Sequence, residues 1–327
     1  MVLLLSRKDV ESVLTMKDTI EAVEKAFREH ALGTVNLPLR PTIRVEKHKG
    51  SVLFMPAYIG EMGALGMKVV SIYPDNPSEY NMPTLLAVVS LNDPKTGIPL
   101  AIMDGAFLTA MRTGAASGVA TKYLARKDAK QVGIIGTGVQ GKTQIAAVCE
   151  VRSIQKVKAY DIAADRCKSF CEGIAEELKV QAVPVGSSEK AVRESEIVIT
   201  ASTSKTPVVN GNWLEEGTHI NGIGSHSPDT RELDETVIKR AKVIVDSREA
   251  ALKEAGDLMI PISQGIITPD HIFAELGEVI TGRKKGRENE DEITLFKSQG
   301  LAIQDVSTAA KVYEIATKKG IGKAVSL

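Results

Sequence analysis

Three cysteines in 327 residues, Cys149, Cys167 and Cys171, are too few for a disulfide framework, and none lies in a CxxC pair or beside clustered histidines. The five histidines (His30, His48, His219, His226, His271) show no two-ligand spacing, so neither a structural nor a catalytic metal is implied. Charge of one sign is missing too: 41 basic residues balance 41 acidic ones, leaving no global field to attract nucleic acid or anionic lipid. Long hydrophobic runs are absent, and the opening MVLLLSRKDVE turns charged at residue 7, so neither a membrane span nor a signal peptide is expected. What is present, 43% hydrophobic and 25% charged residues, is enough to bury a large core, and it predicts a cytoplasmic enzyme or binding protein of two domains.

Hydrophobic periodicity divides the chain. Residues 17–32 carry Ile20, Val23, Ala26 and Phe27 at helical spacing. From 38 to 103, short β-like stretches (LRPTIRV, SVLFMPAYI, GALGMKVVSIY, TLLAVVSLND, IPLAIMD) alternate with turn residues, predicting an antiparallel sheet or open barrel. Residues 105–126 read as a long helix leading into a second domain. There the period changes to strand, helix, strand: 131–136, 156–161, 180–185, 196–201, 218–223 and 242–246 are six short apolar strands, as in a doubly wound parallel sheet. Residues 270–297 hold a further helix and the charged stretch GRKKGRENEDE, read as a solvated loop. The final segment, LAIQDVSTAAKVYEIATKKGIG, is an amphipathic helix expected to return to the first domain.

At the first strand-to-helix junction of the second domain stands Gly136-Thr137-Gly138-Val139-Gln140-Gly141. The first glycine permits a tight turn, the second lets pyrophosphate approach the backbone, and the third allows close helix packing. The helix N-terminus supplies free N–H groups and a positive dipole end for phosphates. Asp161, ending the second strand 20 residues after Gly141, is placed to accept from the ribose hydroxyls and to repel a 2′-phosphate. NAD is therefore the expected cofactor, with Arg166 and Lys168 nearby keeping NADP as the alternative.

MPAY (55–58), GMKVVSIYPDNP (66–77), MRTGAASGVATKYLAR (111–126), the glycine fingerprint, THINGIGSHSPDTRELD (218–234) and GLAIQD (300–305) together resemble the ornithine cyclodeaminase/mu-crystallin family, which includes archaeal-type alanine dehydrogenases. The resemblance spans nearly the whole chain. It implies an α/β fold in which a Rossmann domain (126–299) is inserted into an α+β substrate-binding and dimerisation domain (1–125 plus 300–327), a homodimer paired through sheets of the first domain, and an active site between domains.

An α-amino or α-imino acid presents a carboxylate, which calls for a guanidinium fork and a second cation, and hydride transfer at its α-carbon calls for a nearby acid/base. Arg112 lies among small apolar residues of the junction helix, and Lys68 stands alone in an apolar strand where burial would lower its pKa; by resemblance Lys68 matches the family's active-site lysine. Arg40, matching the arginine of the family's PxR segment, is the third carboxylate binder, with Arg44 its alternative on the same strand face. Thr113 is assigned to cofactor phosphate, substrate or a helix cap, and Ser202 and Thr203, with Asp305, to the nicotinamide pocket or its support.

The loop Gly224-Ser225-His226-Ser227-Pro228-Asp229 departs from cyclodeaminases, which carry an aspartate where His226 stands, so the acid/base is His226, Asp229 or the pair. The cyclodeaminase acid associated with the distal amine of ornithine is also replaced, near Leu53. The reading is thus an NAD(P)-dependent oxidoreductase on the C–N bond of a small α-amino or α-imino acid, like alanine dehydrogenase or ketimine reductase. Ornithine cyclodeaminase is the alternative, and a non-catalytic NAD(P)H binder is a third.

Overall fold

The structure is a computed structural model that describes residues 1–326. It forms two compact units: Met1–Arg112 together with the chain from Leu301 onward, and Thr113–Gly300. The units part between Arg112 and Thr113, inside the helix Gly105–Leu124, where the boundary was expected at residue 125, just beyond that helix.

The first unit is built on an eight-stranded sheet in the order Lys323–Val325, Val2–Leu5, Pro99–Asp104, Leu85–Asn92, Ala64–Ile72, Gly50–Ile59 and Val35–Asn36, with Thr42–Val45 also pairing to Gly50–Ile59. Pairing is antiparallel except between Val2–Leu5 and Pro99–Asp104. The two chain-terminal strands were not expected; at four and three residues they are too short to show a period. Along Ala64–Ile72 the inward face carries Ala64, Gly66, Lys68 and Val70. The helix Ala302–Lys319 packs on this strand, on Gly50–Ile59 and on the helix Met16–Leu32, closing a core that includes Phe27, Ile59, Met103 and Ile303. The expected return of the last helix to the first unit is therefore observed.

The second unit contains eight parallel strands ordered Gln181–Pro184, Lys156–Tyr160, Gln131–Ile135, Ile197–Thr200, His219–Gly222, Thr294–Lys297, Lys242–Val245 and Ile272–Glu275. Two of these go beyond the six expected. Thr294–Lys297 inserts between His219–Gly222 and Lys242–Val245, out of chain order. The charged stretch 282–292 has no helix or strand, but it is pinned as well as solvated: Arg287 donates to the carbonyls of Leu124, Gly217 and Glu292, and Lys242 binds Glu288 and Glu292.

Candidate active site

The glycine loop has the shape its sequence requires. Gly136 adopts φ +95°, and a Cβ there would sit 2.5 Å from the Ala201 carbonyl oxygen. Gly138 caps the helix Val139–Val151 without any side-chain acceptor, and a Cβ on it would meet nothing within 4 Å, so the first-turn amides face open space. Gly141 backs onto the Gly136 carbonyl oxygen, 2.7 Å from where its Cβ would lie. Val139 and Ile162, 77% and 92% exposed, offer bare apolar surface beside this cradle. Open amides for a pyrophosphate and apolar surface for a base fit a dinucleotide.

Asp161 is more heavily engaged than the sequence implied. Its carboxylate accepts from the Thr137 amide (2.8 Å) and hydroxyl (2.9 Å), from the Ala163 amide (2.9 Å) and from Arg166 Nε and Nη2 (3.3 and 2.6 Å). Burial pushes this carboxyl up, but Arg166 and the amide and hydroxyl donors outweigh it and hold the pKa at about 2. Thr137 thus fixes Asp161 through both its amide and its hydroxyl. Gln140 keeps a buried Oε1 with no hydrogen-bond partner.

In the first unit, Lys68 and Arg112 converge on one carboxylate. Lys68 Nζ donates to Asp305 Oδ1 at 2.8 Å, Arg112 Nε donates to the same oxygen at 2.9 Å, and Arg112 Nη1 donates to Gln304 Oε1 at 2.7 Å. Lys68 is 1% exposed and Asp305 fully buried, and Asp305 Oδ2 has no hydrogen-bond partner. Burial, and then the neighbouring Arg112, lower the Lys68 pKa to about 7 against the opposing pull of Asp305; Arg40 lowers it further. Two cations share one anion here, so with Lys68 protonated the cluster carries surplus positive charge, and as Lys68 loses its proton through about pH 7 Arg112 and Asp305 are left as a balanced pair. Arg40 lies ahead of the strand Thr42–Val45 and not in it, so the common strand face expected for Arg40 and Arg44 does not form; Arg44 is exposed in that strand. Gln304 is the addition to this set; Asp305, expected to line the nicotinamide pocket or support it, is the carboxylate on which both cations meet.

The remaining candidates belong to the second unit. His226 and Asp229 are exposed on the loop that follows His219–Gly222, at the C-terminal edge of the sheet. Asp229 accepts a hydrogen bond from the Ser227 hydroxyl, which lowers its pKa below the usual carboxylate range. Ser202 donates its amide and hydroxyl to Glu232, while Thr203 beside it is exposed. Thr113 is buried, its carbonyl accepting from Gln144 Nε2. Among the described residues, no group of three or more His, Cys, Asp or Glu could hold a metal ion, and no helix is long and apolar enough to cross a membrane.

A model of the ornithine cyclodeaminase/mu-crystallin family matches residues 2–320. The chain belongs to this family. Within it, the sequence is 44% identical over 326 residues to alanine dehydrogenase of Archaeoglobus fulgidus, covering 99% of this chain and 98% of that one. The structure of Thermococcus litoralis Δ1-pyrroline-2-carboxylate reductase in complex with NADH and L-proline superimposes with a TM-score of 0.96 at 53% identity, covering 99% of this chain and 100% of the other. An archaeal alanine dehydrogenase dimer with bound NAD matches at a TM-score of 0.94 and 42% identity, over 100% and 99% of the two chains. Family members described as cyclodeaminases are more distant, at 28% and 29% identity.

Proposed function

We propose that this protein is an NAD(P)-dependent oxidoreductase acting on the C–N bond of a small α-amino or α-imino acid. The observation that carries the reading is the buried Lys68–Arg112–Asp305 cluster, which with Lys68 protonated has one cation more than its own carboxylate balances, a state that an added carboxylate favours. A substrate α-carboxylate supplies the missing charge, and a guanidinium receives it through paired N–H donors. Arg112, Lys68 and Arg40 are assigned to that carboxylate.

NAD(H) is held by the Gly136–Gly141 loop with Asp161 at the ribose, and when bound its nicotinamide gives or takes the hydride. Proton movement falls to the 224–229 loop. Asp229, an exposed carboxylate on that loop, is assigned to proton acceptance in the oxidative direction. His226, an imidazole, suits donation toward an imine nitrogen in the reductive direction. Ser202 and Thr203 are assigned to the nicotinamide segment, and Thr113 to support of the cofactor. The matched archaeal enzyme is a dimer, and we assign the same state to this chain, with Ile43, Leu86 and Val88 exposing apolar side chains on the first unit's sheet for the purpose.

The test is absorbance at 340 nm with NADH or NADPH and a panel led by Δ1-pyrroline-2-carboxylate, followed by pyruvate with ammonia. Cofactor oxidation with any member supports the reading and names the substrate. No net change, with ammonia released from ornithine and NAD regenerated, would make the protein a cyclodeaminase; cofactor binding without turnover of any of these would make it a binder.

A further inference from the structure

Three charged side chains of the second unit have no part in that chemistry, yet each is fully buried: Glu232, Asp257 and Lys297. Lys297 Nζ lies 3.1 Å from Asp257 Oδ2 and donates to the carbonyls of Gly222 (3.2 Å) and Ser225 (2.7 Å). Asp257 Oδ1 accepts from the amides of Glu232 (2.7 Å) and Leu233 (2.9 Å). The Glu232 carboxylate bridges two loops, accepting from the Ser202 amide (2.7 Å) and hydroxyl (2.6 Å) on one side and from the Gly224 amide (2.6 Å) on the other.

Burying three charges is costly, and a site needing only packing is commonly as stable with apolar residues. What charge adds is direction, because ionised acceptors fix amide donors more tightly than neutral ones do. Here those contacts end on the backbone of the two loops at the C-terminal edge of the sheet. The loops have little slack: a Cβ on Gly224 would overlap the Ser202 carbonyl oxygen and lie 2.5 Å from the Glu232 carboxylate, and one on Gly256 would overlap the Thr230 carbonyl oxygen.

We propose that Glu232, Asp257 and Lys297 are positioning residues that clasp the 224–231 loop to the Ser202 segment, holding His226 and Asp229 in a single arrangement for proton transfer. This rests on the assignment of that loop to proton movement. Glu232→Gln keeps the shape but turns an amide donor toward a backbone donor. Gly224→Ala removes no charge but displaces the loop by pressing on the Ser202 carbonyl and the Glu232 carboxylate, and so serves as the second variant if the first does not fold.

Each should lower kcat by about tenfold or more, since displacements of about 1 Å are felt at that level. The dissociation constant for NADH, read by cofactor fluorescence, should rise by less than kcat falls, because the Ser202 segment is loosened while the glycine loop that carries the pyrophosphate is untouched. A lower melting temperature with unchanged kcat in the folded protein would show a merely structural cluster and overturn the proposal. His226→Gln and Asp229→Asn are measured alongside. If both keep wild-type kcat, the assignment of the loop fails and takes the clasp with it; if they lose activity while Glu232→Gln and Gly224→Ala do not, the clasp fails alone.

Discussion

The two units each bury a cluster of three charges, and the clusters have opposite balance. Lys68, Arg112 and Asp305 set two cations against one anion; Lys297, Asp257 and Glu232 set one cation against two anions. In the anion-rich cluster, backbone donors of the same unit take up the excess: the amides of Ser202, Gly224, Glu232 and Leu233 all point at carboxylate oxygens. In the cation-rich cluster Lys68 and Arg112 meet on the single carboxylate of Asp305, whose Oδ2 is without a hydrogen-bond partner. Where a buried cluster's excess charge is met internally, it organises the chain. Where it is not, it is set up for a ligand of opposite sign.

The strongest way to break this contrast is to equalise it. Arg112→Leu leaves Lys68 and Asp305 as a balanced pair with no surplus for a substrate carboxylate. Losing one partner of a buried charge-assisted contact costs about 3–5 kcal/mol, so kcat/KM for the amino or imino acid should fall by roughly two to nearly four orders of magnitude. NADH affinity, measured by fluorescence, should be unaltered. A variant that turned over substrate normally would mean that the surplus charge has another purpose.

A smaller effect should appear in stability against pH. Lys68 titrates at about 7 in the folded protein and near its ordinary 10.5 when unfolded. Between those values the unfolded chain holds the extra proton, so this group makes stability rise with pH across the window, by about 1.4 kcal/mol per unit at most. Urea unfolding at pH 7.5 and 9 should show that increment in the wild type and lose it in Lys68→Met. An identical pH response in both proteins would mean that the Lys68 ammonium is not disfavoured by its burial beside Arg112.

The two clusters also differ in how far sequence reveals them. Lys68 interrupts an apolar strand and Arg112 a run of small residues, so each is an anomaly against its own local period. Glu232 and Asp257 sit in PDTRELD and EAGDLM, polar settings where a carboxylate is ordinary and where burial comes only from distant packing. Lys297 was hidden in the same way: its strand Thr294–Lys297 follows a charged loop and enters the sheet out of chain order, which no local pattern encodes. The glycine fingerprint was legible in full because its constraint is local, a positive φ and an uncapped helix start. The engagement of Asp161 by Arg166 was not, since five-residue spacing places the two on different elements, strand end and helix.

Asp161 and Arg166 form the balanced case between the extremes, one anion with one cation, and they sharpen the contrast at the smallest scale. Arg166 is half-exposed, so it can leave the carboxylate for an incoming anion at little cost. On the assignment proposed above, Asp161 meets the ribose hydroxyls of NADH, and Arg166, which pairs with it, is at hand to screen the 2′-phosphate of NADPH. Arg166→Gln should therefore weaken NADPH binding about tenfold, or ~1.4 kcal/mol, while NADH shifts by less than about threefold. Fluorescence titration with both cofactors reads the two constants directly. Equal weakening of both would mean that Arg166 acts only by holding Asp161 against Thr137, and the balanced pair would then belong with the internally satisfied cluster.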